Sequence, residues 1–448
     1  MNIDTITKKN TDFLILDTLK FSPFVPKYLI EHHKKYFSDK NLPSPKNEEW
    51  QKLNLNRLTQ HRFIQGEKLK LNKDVVSMYN ISGLYSDIIV FINGWFCPEL
   101  SRITNLKENL IFGSIKEMRK LYPQIFDEYF NKTNISDKHF FTALNTLYAQ
   151  DGAFIYIKPN AIIENPIHVY FFTDGEDKKI FSLYRNLIIA DKNSQASVLF
   201  SYHSLSSDIS FTNVVNEIIV RENAYIDFNV FQGEGNESMQ ISNTAVYQYA
   251  DSNFISHYYT MCGHLVKNEI DVNLVGDNSN AELNGLYMPD REQQFHNTIF
   301  VKHLAKHSFS KQFYRGIIDN NASAFFYGKV LIDKGAIGNE AHQTNNNILL
   351  TPYAHAHSKP HLIIYNDDVA ASHGSTVGQV DKNALFYMQT RGIGRKKAET
   401  LLLSAFAEEV INKIKMIPFK LYIKILTEKR LSGEKIEKQC AKLGICRY

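Results

Sequence analysis

The chain has 448 residues, of which 44% are hydrophobic and 22% are charged, and this balance excludes a disordered chain and a small disulfide-stapled scaffold. The length predicts two or three domains with a sizeable core. A net charge of +4, spread over this length, is too small to predict a nucleic-acid partner. The four cysteines form no CxxC pair, which excludes a zinc ribbon and favours reduced thiols, as in the cytoplasm.

Two observations argue against a membrane partner. No run of about 18 apolar residues occurs, so the sequence predicts no membrane-spanning helix. The N-terminal segment lacks the uninterrupted apolar centre of a signal peptide, because Asp12 and Asp17 flank its short apolar stretch. We therefore expect a cytoplasmic protein.

Residues 1–153 are predicted to form a mainly helical N-terminal domain with a few strands. The segment YLIEHHKKYF mixes apolar and charged residues at helical spacing, and the proline-containing segment LPSPKNEEW separates helices. In SDIIVFINGWF a short apolar run ends at the turn signal Asn93–Gly94, which is typical of a strand.

Residues 154–388 are predicted to form a parallel β-helix core. Strand-sized segments rich in Val, Ile, Phe and Tyr alternate with Asn, Asp and Gly, and no helix is predicted among them. A period of 27 to 30 residues that contains only strands indicates a solenoid, in which each coil buries its inner face on the next. An antiparallel sandwich is the alternative, since it also has many short strands. The repeated motifs start at Gln195, Asn223, Asn253, Asn280 and His307.

Residues 389–448 are predicted to form a C-terminal helical domain with a loosely ordered tail. Leu402, Phe406, Val410 and Ile414 follow one apolar edge of a first helix, and a second helix is predicted at about 420–431. The tail is charged and poor in large apolar residues. We interpret its two thiols as bystanders, because two cysteines without further ligands make a weak metal site. These thiols are Cys440 and Cys446.

The chain lacks the short motifs of common enzymes. GxxxxGK[ST], GxSxG and HExxH are absent, so we expect no ATP hydrolysis by this chain and a non-catalytic role. The glycine-rich segment GIGRKK lacks the full GxGxxG spacing and predicts a helix-start turn. Two alternatives stay open: a β-helix carbohydrate-active enzyme with paired carboxylates on neighbouring coils, and a homodimeric interaction protein without metal chemistry.

The densest group of polar residues lies between residues 340 and 395. Imidazole and carboxylate groups bind divalent iron or zinc, so this group could hold a metal or carry protons. A solvated turn is the alternative for His355, His357 and His361, whereas His373 is the stronger metal candidate. The group comprises His342, Asn345, Asn346, Asn347, His355, His357, His361, Asp367, Asp368, His373 and Arg391.

Long segments of the chain resemble a known family. The segment NNNILLTPYAHAHSKPHLIIYNDDVAASHGSTVGQVDKNALFYMQTRGI resembles the signature of the SufB/SufD family of iron–sulfur cluster assembly proteins. AETLLLSAFAEEVI is similar to the helix that follows that signature, and KNEEWQKLNL, INGWFCPELS and LNTLYAQDGAFIYI are similar to upstream family segments. The resemblance implies a mainly β fold, with a right-handed parallel β-helix core flanked by N-terminal and C-terminal helical domains.

The resemblance also implies partners and cargo. In this family SufB and SufD pair through their β-helices, and the C-terminal helical domain of each docks one copy of the ATPase SufC. The expected cargo is a transient iron ion or iron–sulfur cluster in the complex, with no cofactor held stably by the chain alone. Reduced flavin is a further cofactor that the family implies for the complex, although the sequence contains no flavin-binding fingerprint.

Within the family, the residues favour the SufD type. The scaffold cysteine of SufB-type chains corresponds to about Asn346, which provides no thiolate. Ala371 stands where many relatives carry a cysteine. The resemblance implies that His373 lies at the SufB–SufD interface as a ligand for iron or the nascent cluster, with a buried structural histidine as the alternative. Asp367 and Asp368 are candidates either to orient that imidazole or to form an Asx-rich turn.

Overall fold

The computed structural model describes residues 13–14, 19–39, 42–44, 46–102 and 108–433. The helices are α1 (Lys27–Asp39), α2 (Asn56–Thr59), α3 (Lys73–Met78), α4 (Ile115–Leu121), α5 (Pro123–Tyr129), α6 (Phe140–Tyr148), α7 (Lys382–Thr390), α8 (Arg395–Ile411) and α9 (Ile417–Ser432). The strands are β1 (Ile64–Gln65), β2 (Asp87–Ile92), β3 (Trp95–Phe96), β4 (Leu110–Ser114), β5 (Ala153–Ile157), β6 (Ile167–Thr173), β7 (Ile180–Ala190), β8 (Gln195–Ser204), β9 (Ser210–Val220), β10 (Tyr225–Gly233), β11 (Ser238–Gln248), β12 (Asn253–Thr260), β13 (Leu265–Leu274), β14 (Asn280–Tyr287), β15 (Gln294–His303), β16 (Phe309–Ile318), β17 (Ser323–Ile332), β18 (Asn339–Leu349), β19 (His355–Ile364) and β20 (Val369–Gly378).

The strands form a parallel β-helix of about eight turns with two long sheets. Sheet 1 runs in the order β4, β5, β7, β9, β11, β13, β15, β17, β19, and β1 adds to β7. Sheet 2 runs β3, β2, β6, β8, β10, β12, β14, β16, β18, β20. The antiparallel pairs β4–β5 and β2–β3 close the N-terminal end, whereas the coils between them and the C-terminal end are parallel. The parallel β-helix prediction is confirmed and the sandwich alternative is wrong.

Left-handed residues make the corners at which the chain passes from sheet 1 to sheet 2. Asn193, Asn223 and Asn278 have φ angles of 58°, 57° and 58°, a conformation that asparagine tolerates better than most residues. The Asn223 side-chain amide donates to Asn193 Oδ1 at 3.0 Å, so consecutive corners are hydrogen-bonded to each other. These repeated corners explain the asparagines in the predicted repeat.

Two of the five predicted motif starts are out of register. Asn223 and His307 lie in corners with φ angles of 57° and 54°, whereas Gln195, Asn253 and Asn280 are the first residues of strands. The strand partner of Gln195 is Tyr225, two residues beyond the predicted start. Because side chains alternate with a period of two, this error leaves the predicted inward face unchanged.

Helices cover the outer faces of both sheets. From the N-terminal region, α6 is buried along its length and packs on the apolar outer side of β7 and β9. From the C-terminal region, α8 and α9 fold back over the outer side of sheet 2. The residues that join these helices to sheet 2 are Leu199, Phe231, Tyr259, Leu286, Ile317, Leu403, Ala407, Val410, Ile414, Phe419 and Ile423.

The buried face of α8 differs from the predicted one. Val410 and Ile414 are buried as predicted, but Leu403 and Ala407 take the places predicted for Leu402 and Phe406, which are half-buried. Sheet 2 selects this face, since β14 and β16 pack against α8. The prediction of a helix-start turn at GIGRKK is confirmed, because Gly394 is the N-cap of α8.

The last strand of the β-helix ends before the predicted domain boundary at 388. The last strand ends at Gly378, and α7 follows at Lys382 because the Asp381 carboxylate accepts a hydrogen bond from the Asn383 amide at 2.8 Å. The second C-terminal helix also begins earlier than predicted, with Pro418 in its first turn, where a missing backbone N–H is tolerated.

Three sequence expectations concern parts of the chain outside the sheets. Within the described ranges, no helix is long and apolar enough to cross a membrane. Cys97 and Cys262, the two cysteines among the described residues, are both buried. The predicted loosely ordered tail, with Cys440 and Cys446, lies outside the described residues.

Candidate assembly edge at the last coil

The last coil of the β-helix presents two open strand edges. Within the described part of the chain, β19 pairs with β17 only and β20 pairs with β18 only, and each of these two edge strands is ten residues long. An unpaired strand offers backbone N–H and C=O groups that template pairing with another chain. We call the unpaired long edges of β19 and β20 the assembly edge.

Large apolar side chains are exposed beside this edge. Ile364 is 39% exposed and Val377 is 47% exposed, although monomers usually keep such groups scattered rather than clustered. On α7, Phe386 and Tyr387 are exposed, and Arg391 donates a hydrogen bond to the Tyr387 hydroxyl at 3.1 Å. Tyr353 and Tyr365, which lie in the chain on either side of β19, are exposed as well.

His373 lies on the inward side of β20, at the open mouth of the β-helix. Its register partner on β18 is Gln343, and two residues earlier Ala371 is the partner of the buried core residue Ala341. Ala371 packs against the core cluster, so His373 shares its inward direction by the strand period of two. With no coil stacked on β20, the imidazole is nevertheless exposed.

The interior beneath His373 is polar. Gln312 and Gln343 are register partners on adjacent strands, both are buried, and their side-chain amides find no hydrogen-bond partner among the described residues. Buried amides normally have partners, so this layer is suited to water or another polar group. His373 follows this polar layer in the strand register, because it is the register partner of Gln343.

A second buried polar group lies one step further along the same strands. Asn345 Nδ2 donates to the Tyr287 hydroxyl at 2.8 Å, and this hydroxyl donates to Asn347 Oδ1 at 2.6 Å. Burial raises the pKa of Tyr287 above its usual range, so the phenol stays neutral. These two predicted site residues therefore belong to a satisfied structural network.

The remaining histidines of the predicted group face away from His373. His355, His357 and His361 lie on β19, so the prediction of a solvated turn is wrong. They alternate with the inward-facing Ala356 and Leu362, which places them on the outer side of sheet 1. His361 Nε2 is 3.6 Å from Glu48 Oε1, and burial, together with the nearby cationic groups, lowers the pKa of His357.

His342 and Asn346 lie on the outer side of sheet 2. His342 Nδ1 is 2.8 Å from the Ser372 hydroxyl, and Thr376 donates to Asn346 Oδ1 at 2.9 Å. The strand alternation thus separates Asn346, which by the family resemblance corresponds to the scaffold cysteine of SufB-type chains, from the inward-facing His373 of the same chain.

Asp367 and Asp368 lie in the corner between β19 and β20. The Asp368 amide donates to Asn366 Oδ1 at 2.9 Å, and the Asp368 carbonyl accepts from the Gly338 amide at 2.8 Å. A rise of about 3.3 Å per residue separates Asp368 from His373 by roughly 16 Å along the chain. These backbone hydrogen bonds are typical of a corner, and the orienting role of the two carboxylates stays a prediction.

The family resemblance implied an interface at His373, but the residue pattern by itself did not reveal the assembly edge. Each strand of the repeat looks alike in sequence, and nothing local distinguishes the last coil from an internal one. The available signal was the combination of the last repeat with apolar residues such as Val377 beyond the histidine. This combination indicates that the last coil has an inward-facing apolar row that no further coil of the same chain covers.

Comparison with family models decides the assignment. Residues 171–406 match the SUF system FeS cluster assembly SufBD core domain, and residues 29–169 match the SufBD protein N-terminal region. The chain belongs to the SufBD family. The core match includes most of the β-helix and extends into α8, and the N-terminal match begins in α1.

Curated SufBD relatives align over most of the chain. An iron–sulfur cluster assembly SufBD family protein of Synechocystis is 28% identical, with 83% of this chain and 84% of that protein covered. The iron–sulfur cluster assembly protein SufD of Escherichia coli is 26% identical, with 88% and 90% covered. SufD of Bacillus subtilis is also 26% identical, with 70% and 72% covered. These SufBD relatives support iron–sulfur cluster assembly as the process in which the chain takes part.

Proposed function

We propose that this chain is a SufD-type scaffold subunit that pairs with a SufB-type β-helix through the assembly edge. The observation that carries the proposal is the pair of open strands β19 and β20 beside exposed apolar residues. A partner strand on each edge would satisfy the backbone groups, and a stacked partner coil would cover the open interior. The chain itself would perform no catalysis, and ATP hydrolysis would belong to the SufC-type partner.

Affinity purification of the tagged chain from its host under anaerobic conditions tests this proposal. We expect a SufB-type chain and an ATPase in the eluate, with iron above the level of a tag-only control. A homodimer is the alternative, because the same edge could pair with a second copy. Recovery of the homodimer as the main cellular form, without either partner or iron, would contradict the proposal.

The outer face of α9 is the proposed docking surface for the ATPase. Ile417, Leu421 and Ile425 follow one another at helical spacing, and they are 65%, 54% and 46% exposed. Leu401 of α8 adds a fourth exposed apolar side chain. The face of α9 directed away from sheet 2 therefore carries an exposed apolar stripe.

Substitutions in this apolar stripe should weaken binding of the ATPase without affecting binding of the SufB-type chain. We expect Leu421→Asp/Ile425→Asp to lose at least tenfold in affinity for the ATPase, because each buried leucine or isoleucine contributes about 1.5–3 kcal/mol. Binding to the SufB-type chain should be unchanged. Lys420→Ala/Lys424→Ala, on the same helix, changes the net charge by the same amount and is the matched control. Isothermal titration of each partner measures the effect, and equal losses in both variants would refute this docking surface.

His373 is the proposed ligand for iron or for the nascent cluster. Supporting observations are its inward direction at the open mouth and the unpaired amides of Gln312 and Gln343 beneath it. In the complex the imidazole would face the interior of the partner coil. A histidine nitrogen binds iron when its other ring nitrogen is oriented by a hydrogen bond, which the partner or the polar interior would supply.

The substitution His373→Ala should lower the iron content and cluster yield of the reconstituted complex by at least threefold without changing its assembly. The imidazole is exposed in the free chain, so its removal leaves no cavity there. His355→Ala, on the neighbouring edge strand but facing outward, is the matched control. Iron analysis and visible absorption of the complex give the result. Equal iron in both variants would remove His373 from iron binding.

A further inference from the structure

A histidine and carboxylate cluster lies far from the assembly edge, where α1 meets the short 3₁₀ turn Ile135–Asp137. His32 Nε2 and His33 Nε2 lie 3.2 Å and 3.1 Å from the same oxygen, Asp137 Oδ1. All three ligand atoms lie within 4.8 Å of one another. α1 packs on α6, which covers β9, and five strand spacings of about 4.8 Å separate β9 from β19, roughly 24 Å.

The hydrogen bond at the other ring nitrogen of His33 sets its tautomer. His33 Nδ1 is 2.8 Å from the Leu29 carbonyl oxygen, which can only accept, so Nδ1 carries a proton. In the neutral imidazole, Nε2 then presents a lone pair toward the Asp137 carboxylate. A second proton or a cation must lie between these two acceptors for the contact to be favourable.

Both imidazoles meet the same carboxylate oxygen, the His33 ring from a fully buried position and the His32 ring from the exposed side. The charge of the buried Arg185 guanidinium is already balanced by the carboxylate of Glu217. A cation held jointly by both imidazoles and the Asp137 carboxylate therefore satisfies all three groups at once.

We propose that His32, His33 and Asp137 bind one divalent first-row transition-metal ion, of which Zn²⁺ is the probe. Metal–nitrogen bonds of about 2.0–2.1 Å in a tetrahedron place ligand atoms roughly 3.3 Å apart, close to the two measured distances. The side chains of His32 and Asp137 are 58% and 47% exposed, so water completes the coordination. The ion joins α1 to the turn before α6 and remains exchangeable through this open side.

Metal analysis of the full-length chain tests the site. After incubation with Zn²⁺ at pH 7.5 and gel filtration, we expect one more zinc per chain in the wild type than in His32→Gln/Asp137→Asn, with at least a tenfold difference in affinity by titration. Both substitutions are nearly isosteric and lie at exposed positions, so they should leave the fold intact. His61→Gln is the control, because His61 lies 3.3 Å from the Lys179 ammonium group and is not part of the cluster.

Two further readouts separate this site from other histidines. X-ray absorption of the bound zinc should show two imidazole nitrogens, and Zn²⁺ should slow hydrogen exchange in α1 of the wild type and the control only. Metal affinity should fall as the pH is lowered, because protons compete with the metal for the imidazole nitrogens. Equal zinc content and equal exchange in wild type and double variant would overturn the proposal.

Discussion

The double variant Ile364→Lys/Val377→Lys is expected to lose about a hundredfold in affinity for the SufB-type partner. Both side chains share the inward direction of buried neighbours, since Ile364 is the register partner of Ile332 and Val377 that of Asn347. A stacked partner coil would bury both, and losing this contact costs about 3 kcal/mol, or roughly a hundredfold in affinity. A lysine on an edge strand also opposes pairing, because its charge would be buried.

This prediction is measured by co-purification and by titration of the separate chains. The variant should fold normally, because Ile364 and Val377 are 39% and 47% exposed in the free chain. Leu121→Lys/Ile162→Lys is the matched control, since these residues are 65% and 63% exposed and lie outside β19 and β20. If both double variants bind the partner as well as the wild type, the assembly edge is not the interface.

The substitution Glu217→Ala is expected to destabilise the fold by about 3–5 kcal/mol, because it leaves the Arg185 guanidinium buried without its counter-charge. Both side chains are fully buried, with Arg185 Nη2 at 2.5 Å from Glu217 Oε1. The Thr133 hydroxyl donates to the second carboxylate oxygen at 2.8 Å, and the Asn131 amide donates to the first at 3.1 Å. The pair therefore also holds the segment before α6 on sheet 1.

Urea unfolding measures this loss of stability. Glu217→Gln should lose less, since the amide oxygen can still accept hydrogen bonds. Glu222→Ala is the control, because Glu222 pairs with Arg221 and Lys192 at the surface, where such pairs contribute about 1 kcal/mol or less. A loss at Glu217 no greater than the loss at Glu222 would show that the buried pair is compensated by solvent or by neighbouring groups.

The β-helix could be predicted from the sequence because its strand-sized segments repeat with a regular period. Each coil must bury an inward row of side chains and turn at a corner. Asn193, Asn223 and Asn278 therefore occupy equivalent corner positions in different coils. The repeat was found even though two of its starts were displaced, because a shift of two residues keeps the same face inward. The resemblance to the SufB/SufD family rested on longer segments and was confirmed by the family models.

Closeness along the sequence does not tell which of the histidines and carboxylates lie close together in the folded chain. His355, His357 and His373 are near one another along the chain, yet β19 directs the first two outward and β20 directs the third inward. Asp368 is only five residues from His373, but an extended strand carries them roughly 16 Å apart. By contrast, Asp137 is distant from His32 in sequence, and packing brings their side-chain atoms to 3.2 Å.

The amino-acid sequence determines the repeat, the family and the change from strands to helices near the C-terminus, because these features depend on local periodicity. Tertiary structure decides which face of α8 is buried, since sheet 2 selects Leu403 and Ala407. It also decides which coil is last and open, and which distant groups meet, as Arg185 and Glu217 do. These features depend on contacts between residues far apart in the chain, which no local pattern specifies.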